Sequence, residues 1–241
     1  PNLLADQLEL YAEQGYLNVG TVLTNKGLER VTAEVIEAWV AEKGPFDSSK
    51  TWLENALLTE IHLRSETVRK HYFSGPMVNI AEQVIGPNIK AVTSQLTFKM
   101  HGNTMTFAWH QDNVYGELDP YNAISCLTAL DDADVENGCL RLIPGSHKGE
   151  IFNQYNQDDQ WVGCLSDSDL GKVALEDAVY LKGPVGSVTV HHCRMLHGSK
   201  SNNHQSRSRP LLLNAFSSAD ALPITANPTP SHYNGATSSC L

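Results

Sequence analysis

Trp109-His110-Gln111-Asp112 is the stretch on which this chain turns, together with Leu196-His197-Gly198-Ser199 far along the sequence and Arg207-Ser208-Arg209 just after that. Residues i and i+2 of a β-strand point to the same side, so the His110 imidazole and the Asp112 carboxylate converge if the motif lies on a strand or its end. An imidazole from a distant strand, here His197, completes a set of two histidines and one carboxylate. Such a set occupies one face of a metal ion and leaves three positions open, the arrangement suited to iron(II) meeting dioxygen and substrate-derived ligands.

The motif alone is weak. With 10 histidines and 13 aspartates in 241 residues, chance gives roughly half an H-x-D per chain of this composition. Order and context strengthen it: a strand bearing Lys99 precedes it, a polar and aromatic loop follows, and an arginine opens an apolar strand after the second histidine.

Working outward, the text from Ile89 onward has the period of strands. Ala91 to Met100, Ala123 to Leu130, Cys139 to Ile143, Ala178 to Leu181, Ser187 to His192 and Leu211 to Phe216 are short β-branched or apolar runs between Gly, Pro, Asn and Asp clusters. That spacing predicts an antiparallel sandwich or barrel. Before it, Leu3 to Gln14 has helical spacing and stops at Gly15, and Tyr16 to Val22 is expected as a strand. Thr24 or Asn25 caps a second helix running to Gly44, and Leu53 to Ile85 is helical in period, broken at Gly75-Pro76. The expected organisation is one domain over 1–241: a helix-rich scaffold at 1–88, a β core at 89–218 and a tail at 219–241. Glu150 to Gly171 is long and polar for a connection, which makes it a lid candidate.

Hydrophobic content of 41% with 18% charged residues is ordinary for a folded soluble chain. The formal net charge of −10 argues against a nucleic-acid or anionic-membrane surface, since both are bound through clustered Lys and Arg. No run has the length of a membrane-spanning helix and the N-terminus lacks signal-peptide order. Five cysteines, an odd number without C-x-x-C spacing, favour reduced thiols and a cytoplasmic setting.

Taken together, Lys99, Trp109-His110-Gln111-Asp112, the D-x-x-N-G-C-L block from Asp134 to Leu140, Pro144-Gly145-Ser146-His147-Lys148-Gly149 and His192-x4-His197-Gly198-Ser199 leading to Arg209 resemble the phytanoyl-CoA dioxygenase family. This family belongs to the iron(II)/2-oxoglutarate-dependent oxygenases. The match covers about Gln95 to Phe216; the N-terminal helices resemble the family only loosely. The resemblance implies a mainly β, α+β fold: a double-stranded β-helix, the cupin-like jelly roll, with the N-terminal helices packed on one sheet. It also implies the cofactors Fe(II), 2-oxoglutarate and O2, with hydroxylation of an unactivated C–H of a small metabolite and release of succinate and CO2. His110, Asp112 and His197 are then the metal ligands. Arg209 grips the far carboxylate of 2-oxoglutarate, Ser199 assists it, and Gln95 is a further cosubstrate contact. The gap from His197 to Arg209 is one residue longer than the family pattern, so Arg207 competes for the anchor; Arg209 is preferred because it opens the apolar run Leu211 to Leu213. A tryptophan often seen in the strand after the motif is Leu127 here.

Other residues carry a plain structural reading beside a functional one. Lys99 is an edge-strand charge or a substrate contact. Asn113, Tyr115 and Tyr121 follow the motif toward the barrel mouth and are substrate candidates at even odds with ordinary loop residues. Asn214, polar inside an apolar strand, is another. His191 and His192 compete with His197, but a histidine at a strand end is more often a hydrogen-bonded structural residue than a ligand. The acidic balance favours a small polar substrate over an acyl-CoA thioester. The rival readings are a zinc hydrolase using the same ligands and a jelly roll that binds without catalysis.

Overall fold

The computed structural model describes residues 2–45, 47, 49–50, 52–102, 105–112, 118–158 and 162–223. Six α-helices are found among them: α1 (Ala5–Gln14), α2 (Asn25–Glu42), α3 (Trp52–Ala56), α4 (Glu66–Ser74), α5 (Pro76–Ile85) and α6 (Asp167–Leu170). The strands are β1 (Tyr16–Thr21), β2 (Leu57–Thr59), β3 (Ile89–Lys99), β4 (Phe107–His110), β5 (Leu118–Asp119), β6 (Ala123–Ala129), β7 (Leu140–Leu142), β8 (Val179–Tyr180), β9 (Ser187–His192), β10 (His197–Ser199), β11 (Arg209–Ser218) and β12 (Leu222–Pro223).

Local chemistry fixes the helix ends. Thr24 caps α2 by accepting the Gly27 amide at 3.1 Å, and Ser65 caps α4 by accepting that of Val68 at 2.9 Å. Pro76 starts α5, where a missing N–H costs nothing. Gly15 ends α1 in the left-handed conformation with φ of 79°. A Cβ there would also stand 2.4 Å from both His147 Nδ1 and Met195 Sδ, so only glycine fits.

The strands form an antiparallel six-stranded sheet in the order β1-β9-β6-β11-β3-β2 and a four-stranded sheet in the order β4-β10-β7-β8, with β12-β5 as a small separate pair. The large sheet has two unlike faces. One carries Leu17, Leu96, Ile124, Cys126, Val188, Val190 and Leu212 against the helices, where Val31, Val35 and Trp39 of α2, Tyr72 of α4, and Met77, Ile80 and Ile85 of α5 cover it. Each such buried aliphatic side chain contributes about 1.5–3 kcal/mol, so this layer carries most of the apolar stabilisation. The other face packs Leu127, Ala129 and Leu211 against Cys139 and Leu140 in a smaller cluster, leaving room for polar groups between the sheets.

Three expectations are corrected. Leu57–Thr59 lies in a stretch of helical period but pairs with Gln95 to Thr97 as an edge strand, because Leu57 and Leu58 are held by the sheet and three residues are too few to show a period. Glu150 to Gly171 is no lid in its described residues: Phe152, Leu165 and Leu170 pack with Trp109, Ile143 and Leu196 on the outside of the small sheet. Cys126, Cys139 and Cys193 are free and buried, whereas Cys164 is disulfide-bonded, a pairing that an odd cysteine count does not reveal.

Candidate metal and cosubstrate site

His110 ends β4 and His197 begins β10, and the two stand directly opposite each other in the ladder. Opposite residues share a face, so the imidazoles lie side by side with ring centres 4.1 Å apart. Asp112 follows two residues later, its amide held by Cys193 O at 2.8 Å. Asp112 Oδ1 is 3.5 Å from His197 Nε2 and 3.8 Å from His110 Nε2, and one donor atom from each residue lies within 4.8 Å of the others. The intervening Gln111 points away and is fully buried. Its amide donates to Glu150 O at 3.0 Å and Arg194 O at 2.8 Å, while its Oε1 accepts from Phe152 N at 2.9 Å. Two separate loops, one after β7 and one between β9 and β10, are thereby fastened to the segment that carries His110 and Asp112.

The donors are prepared for a cation. His110 Nδ1 faces Ala108 O at 2.8 Å and His197 Nδ1 faces Met195 O at 2.9 Å, which places the N–H on Nδ1 and leaves each Nε2 lone pair aimed at the shared centre. Burial, with His197 nearby, pushes the His110 pKa down to about 4, and burial lowers that of His197 too. Burial alone would raise the Asp112 pKa, but the imidazoles of His197, His191 and His110 outweigh it and hold the carboxyl well below its usual range. Two neutral imidazoles and one carboxylate at neutral pH are what a divalent cation requires.

Arg209 begins β11 opposite Lys99 of β3 and is 2% exposed. Its Nε has no protein partner, and it lines a small cavity with Leu127, Leu140, Ser187, Thr189 and Leu211. Burial pushes its pKa down only to about 10, so it stays charged at neutral pH. A buried guanidinium with an unused donor beside an apolar-walled cavity is suited to a carboxylate. Lys99 Nζ donates to Ser199 Oγ at 2.7 Å and to Lys200 O; burial first, then Arg209 and Arg141, push its pKa down to about 6. Arg207 is occupied elsewhere, bonded to Asp134 and, at 3.0 Å, to His204 Nε2.

The remaining candidates divide by strand parity. Gln95 is opposite Leu213, which is opposite Leu127, so all three face the space between the sheets. Asn214 is opposite Cys126, which packs with the helices, so it faces away from Arg209 despite lying on the same strand. Lys99 stands with Ser199 and Arg209 on the side between the sheets. Tyr121 lies just before β6 with the Arg194 guanidinium 5.5 Å from its ring centre. Asn113 and Tyr115 lie outside the described residues. Sequence reasoning missed Ser125 and discounted His191: Ser125 Oγ donates to Asp112 Oδ2 at 2.7 Å, and His191 Nε2 is 3.2 Å from the same oxygen. A serine in an apolar strand gives no signal without the register that sets it beside His191.

Comparison with known proteins identifies the family and the fold. The profile of the Phytanoyl-CoA dioxygenase (PhyH) family matches residues 11–210. A probable alpha-ketoglutarate-dependent hypophosphite dioxygenase of Stutzerimonas stutzeri is 26% identical over 92% of this chain and 81% of its own length. An ectoine dioxygenase of Bordetella parapertussis is 25% identical over 83% of this chain and 71% of its own. Among solved structures, a non-heme alpha ketoglutarate dependent carbocyclase from nogalamycin biosynthesis superposes with a TM-score of 0.76 at 21% identity, covering 98% of this chain and 92% of that one. EctD from S. alaskensis, solved with 2-oxoglutarate and 5-hydroxyectoine, gives 0.72 at 20% identity over 90% and 76% of the two chains, so the double-stranded β-helix is shared. The chain belongs to the phytanoyl-CoA dioxygenase family and is a 2-oxoglutarate-dependent dioxygenase.

Proposed function

We propose that this enzyme hydroxylates a small polar metabolite at a centre held by His110, Asp112 and His197, with 2-oxoglutarate anchored by Arg209. The observation that carries this reading is that three ligand-competent side chains stand together against Ser125 on the face of the large sheet that also carries the buried Arg209 guanidinium, whose Nε has no partner. Bound iron(II) and 2-oxoglutarate supply dioxygen activation, the oxoacid leaving as succinate and CO2 while the substrate gains oxygen.

The protein's part is binding, orientation and exclusion. Ala108 O and Met195 O hold the imidazole rings so that Nε2 faces the ion. Arg209 offers a planar pair of N–H groups to the distal carboxylate, with the Ser199 hydroxyl and Lys99 beside it and Gln95 on the same face. Leu127, Leu140 and Leu211 wall the cavity and keep water from that ion pair. On the large sheet, the row at the level of Asp112 is His191, Ser125, Ala215 and Thr93, a surface with hydrogen-bonding groups. This favours a compact polar substrate, consistent with relatives named for hypophosphite and ectoine.

The test is a succinate-release screen with Fe(II), 2-oxoglutarate and a panel of hypophosphite, ectoine-like solutes, amino acids, aminoalkyl phosphonates and acyl-CoA thioesters. Stimulation by one of the small polar compounds is expected. Stimulation by thioesters alone would replace the substrate assignment. Hydrolytic turnover with Zn(II) and none with Fe(II) would replace the reaction.

A further inference from the structure

The two oxygens of Asp112 have different surroundings. Oδ1 faces the imidazoles of His197 and His110, at 3.5 and 3.8 Å. Oδ2 faces the opposite way, accepting from Ser125 Oγ at 2.7 Å and meeting His191 Nε2 at 3.2 Å. Ser125 and His191 are directly opposite each other on β6 and β9, so they present side by side on the inner face of the large sheet. His110 and His197 come from the small sheet. The carboxylate is therefore reached from both sheets at once.

We infer that His191 and Ser125 form a clamp that fixes Asp112 as a single-oxygen ligand, making His191 a positioning residue of the metal centre. His191 is fully buried and its Nδ1 has no partner, so the N–H that meets Oδ2 is carried on Nε2. Two donors occupy the lone pairs of Oδ2 and leave Oδ1 alone to face the ion. A carboxylate free to rotate could chelate with both oxygens and take one of the positions that the cosubstrate and dioxygen need. The His191 ring also lies 4.6 Å from that of His197, bracing the third ligand from the side. His191 is not itself a ligand in this scheme, since its Nε2 is committed to Asp112 and it lies outside the group of donors that share a centre.

The inference rests on the metal-centre reading above, and its test separates the two. The full-length chain, stripped of metal by chelation, is titrated with Co(II) while the visible absorption is followed, for wild type, H110A, H191L, H191Q and S125A, with the unfolding temperature of each metal-free form as a folding control. Outer partners of metal ligands typically change affinity about 10- to 100-fold, so H191L is expected to weaken Co(II) binding by that factor and S125A at least threefold. In H191Q the glutamine amide places a donor near the former Nε2, so affinity returns to within threefold of wild type. In H191L the infrared splitting of the Asp112 carboxylate stretches narrows as both oxygens engage the ion. Should H191L or S125A bind within twofold of wild type, or H191Q be as weak as H191L, the clamp is wrong. If H191L does not fold, S125A and H191Q decide. If H110A binds Co(II) as wild type does, the metal centre itself is misassigned.

Discussion

Replacing Arg209 should cost the enzyme its hold on 2-oxoglutarate while leaving its metal in place. Arg209 is 2% exposed and its Nε lacks a protein partner, so a carboxylate arriving in the cavity meets a desolvated charge with donors to spare. Removing one member of a buried, hydrogen-bonded charge pair costs about 2–5 kcal/mol. Lys99, directly opposite, is held down to about 6 partly by the charge of Arg209; without that charge it protonates more readily and offsets some of the loss. The lower half of the range then applies, and R209M should raise the 2-oxoglutarate Kd about 30- to 300-fold, at about 1.4 kcal/mol per tenfold. R209K keeps a charge but loses the planar fork, and falls about tenfold. R207A removes only a half-exposed pair with Asp134, worth about 0–1 kcal/mol to stability, and leaves the Kd within twofold. The assay is anaerobic titration of the iron-loaded protein with 2-oxoglutarate. A tenfold loss in R207A with none in R209M would refute the reasoning and move the anchor two residues.

The remaining predictions concern the frame around the site. Gln111→Leu breaks three buried hydrogen bonds of the segment carrying His110 and Asp112 with residues 150, 152 and 194 and leaves their backbone groups unpaired; at about 1–3 kcal/mol per orphaned group, thermal unfolding should shift down by at least about 6 °C. An unchanged midpoint would show that the loops are held by other means. Asn214→Val should leave kcat and KM within twofold and should not lower stability, because the residue faces the helices with both amide atoms unpartnered; a substrate-specific rise in KM would return it to the pocket. Burial pushes the His71 pKa down to about 4 from 6.5. The unfolded chain therefore binds the proton first, and the stability that a neutral His71 gives at pH 7 is lost as pH falls toward 4. Between pH 7 and 5 this group alone removes about 2 kcal/mol, so urea midpoints of the metal-free protein should fall over that range by less in H71L than in wild type. Burial opposes but hydrogen bonds from Ser65, Thr67 and Arg30 hold Glu34 down to about 2; its contribution is present above the usual carboxylate pKa and is lost below it, a second decline nearer pH 3 that E34Q removes.

How much of this was legible depended on what each feature needed. Ser187–His192 and the apolar centre of β11 were plain because β-branched and aliphatic runs between Gly and Pro mark a strand without reference to the rest of the chain. The proposed metal ligands could be named because H-x-D carries its own geometry and, of His191, His192 and His197, the last sat in the more specific context, and the structure brings His110, Asp112 and His197 together. Arg209 was preferred over Arg207 through the apolar run it opens, and the structure places the former in the inter-sheet cavity and the latter on Asp134. What was illegible needed pairing. Asn214 lies five residues from Arg209, an odd separation that sends it to the opposite face once the strand is known to be continuous. Ser125 and His191 meet Asp112 only through the β6–β9 register, and a three-residue edge strand such as Leu57–Thr59 is too short to carry a period. The 150–171 segment read as a lid because polarity and length describe its surface; Phe152, Leu165 and Leu170, which decide where it packs, are sparse within it.

The central claim is that His110, Asp112 and His197 together hold one iron that 2-oxoglutarate chelates. Its most direct test is anaerobic addition of Fe(II) to metal-free protein in the presence of 2-oxoglutarate, following the visible charge-transfer absorption of the chelate. Wild type should saturate at one iron per chain, and His197→Ala and Asp112→Ala should each abolish the band at the same concentrations while remaining folded. A band that persists unchanged in both variants, or that never forms in wild type, would contradict the account.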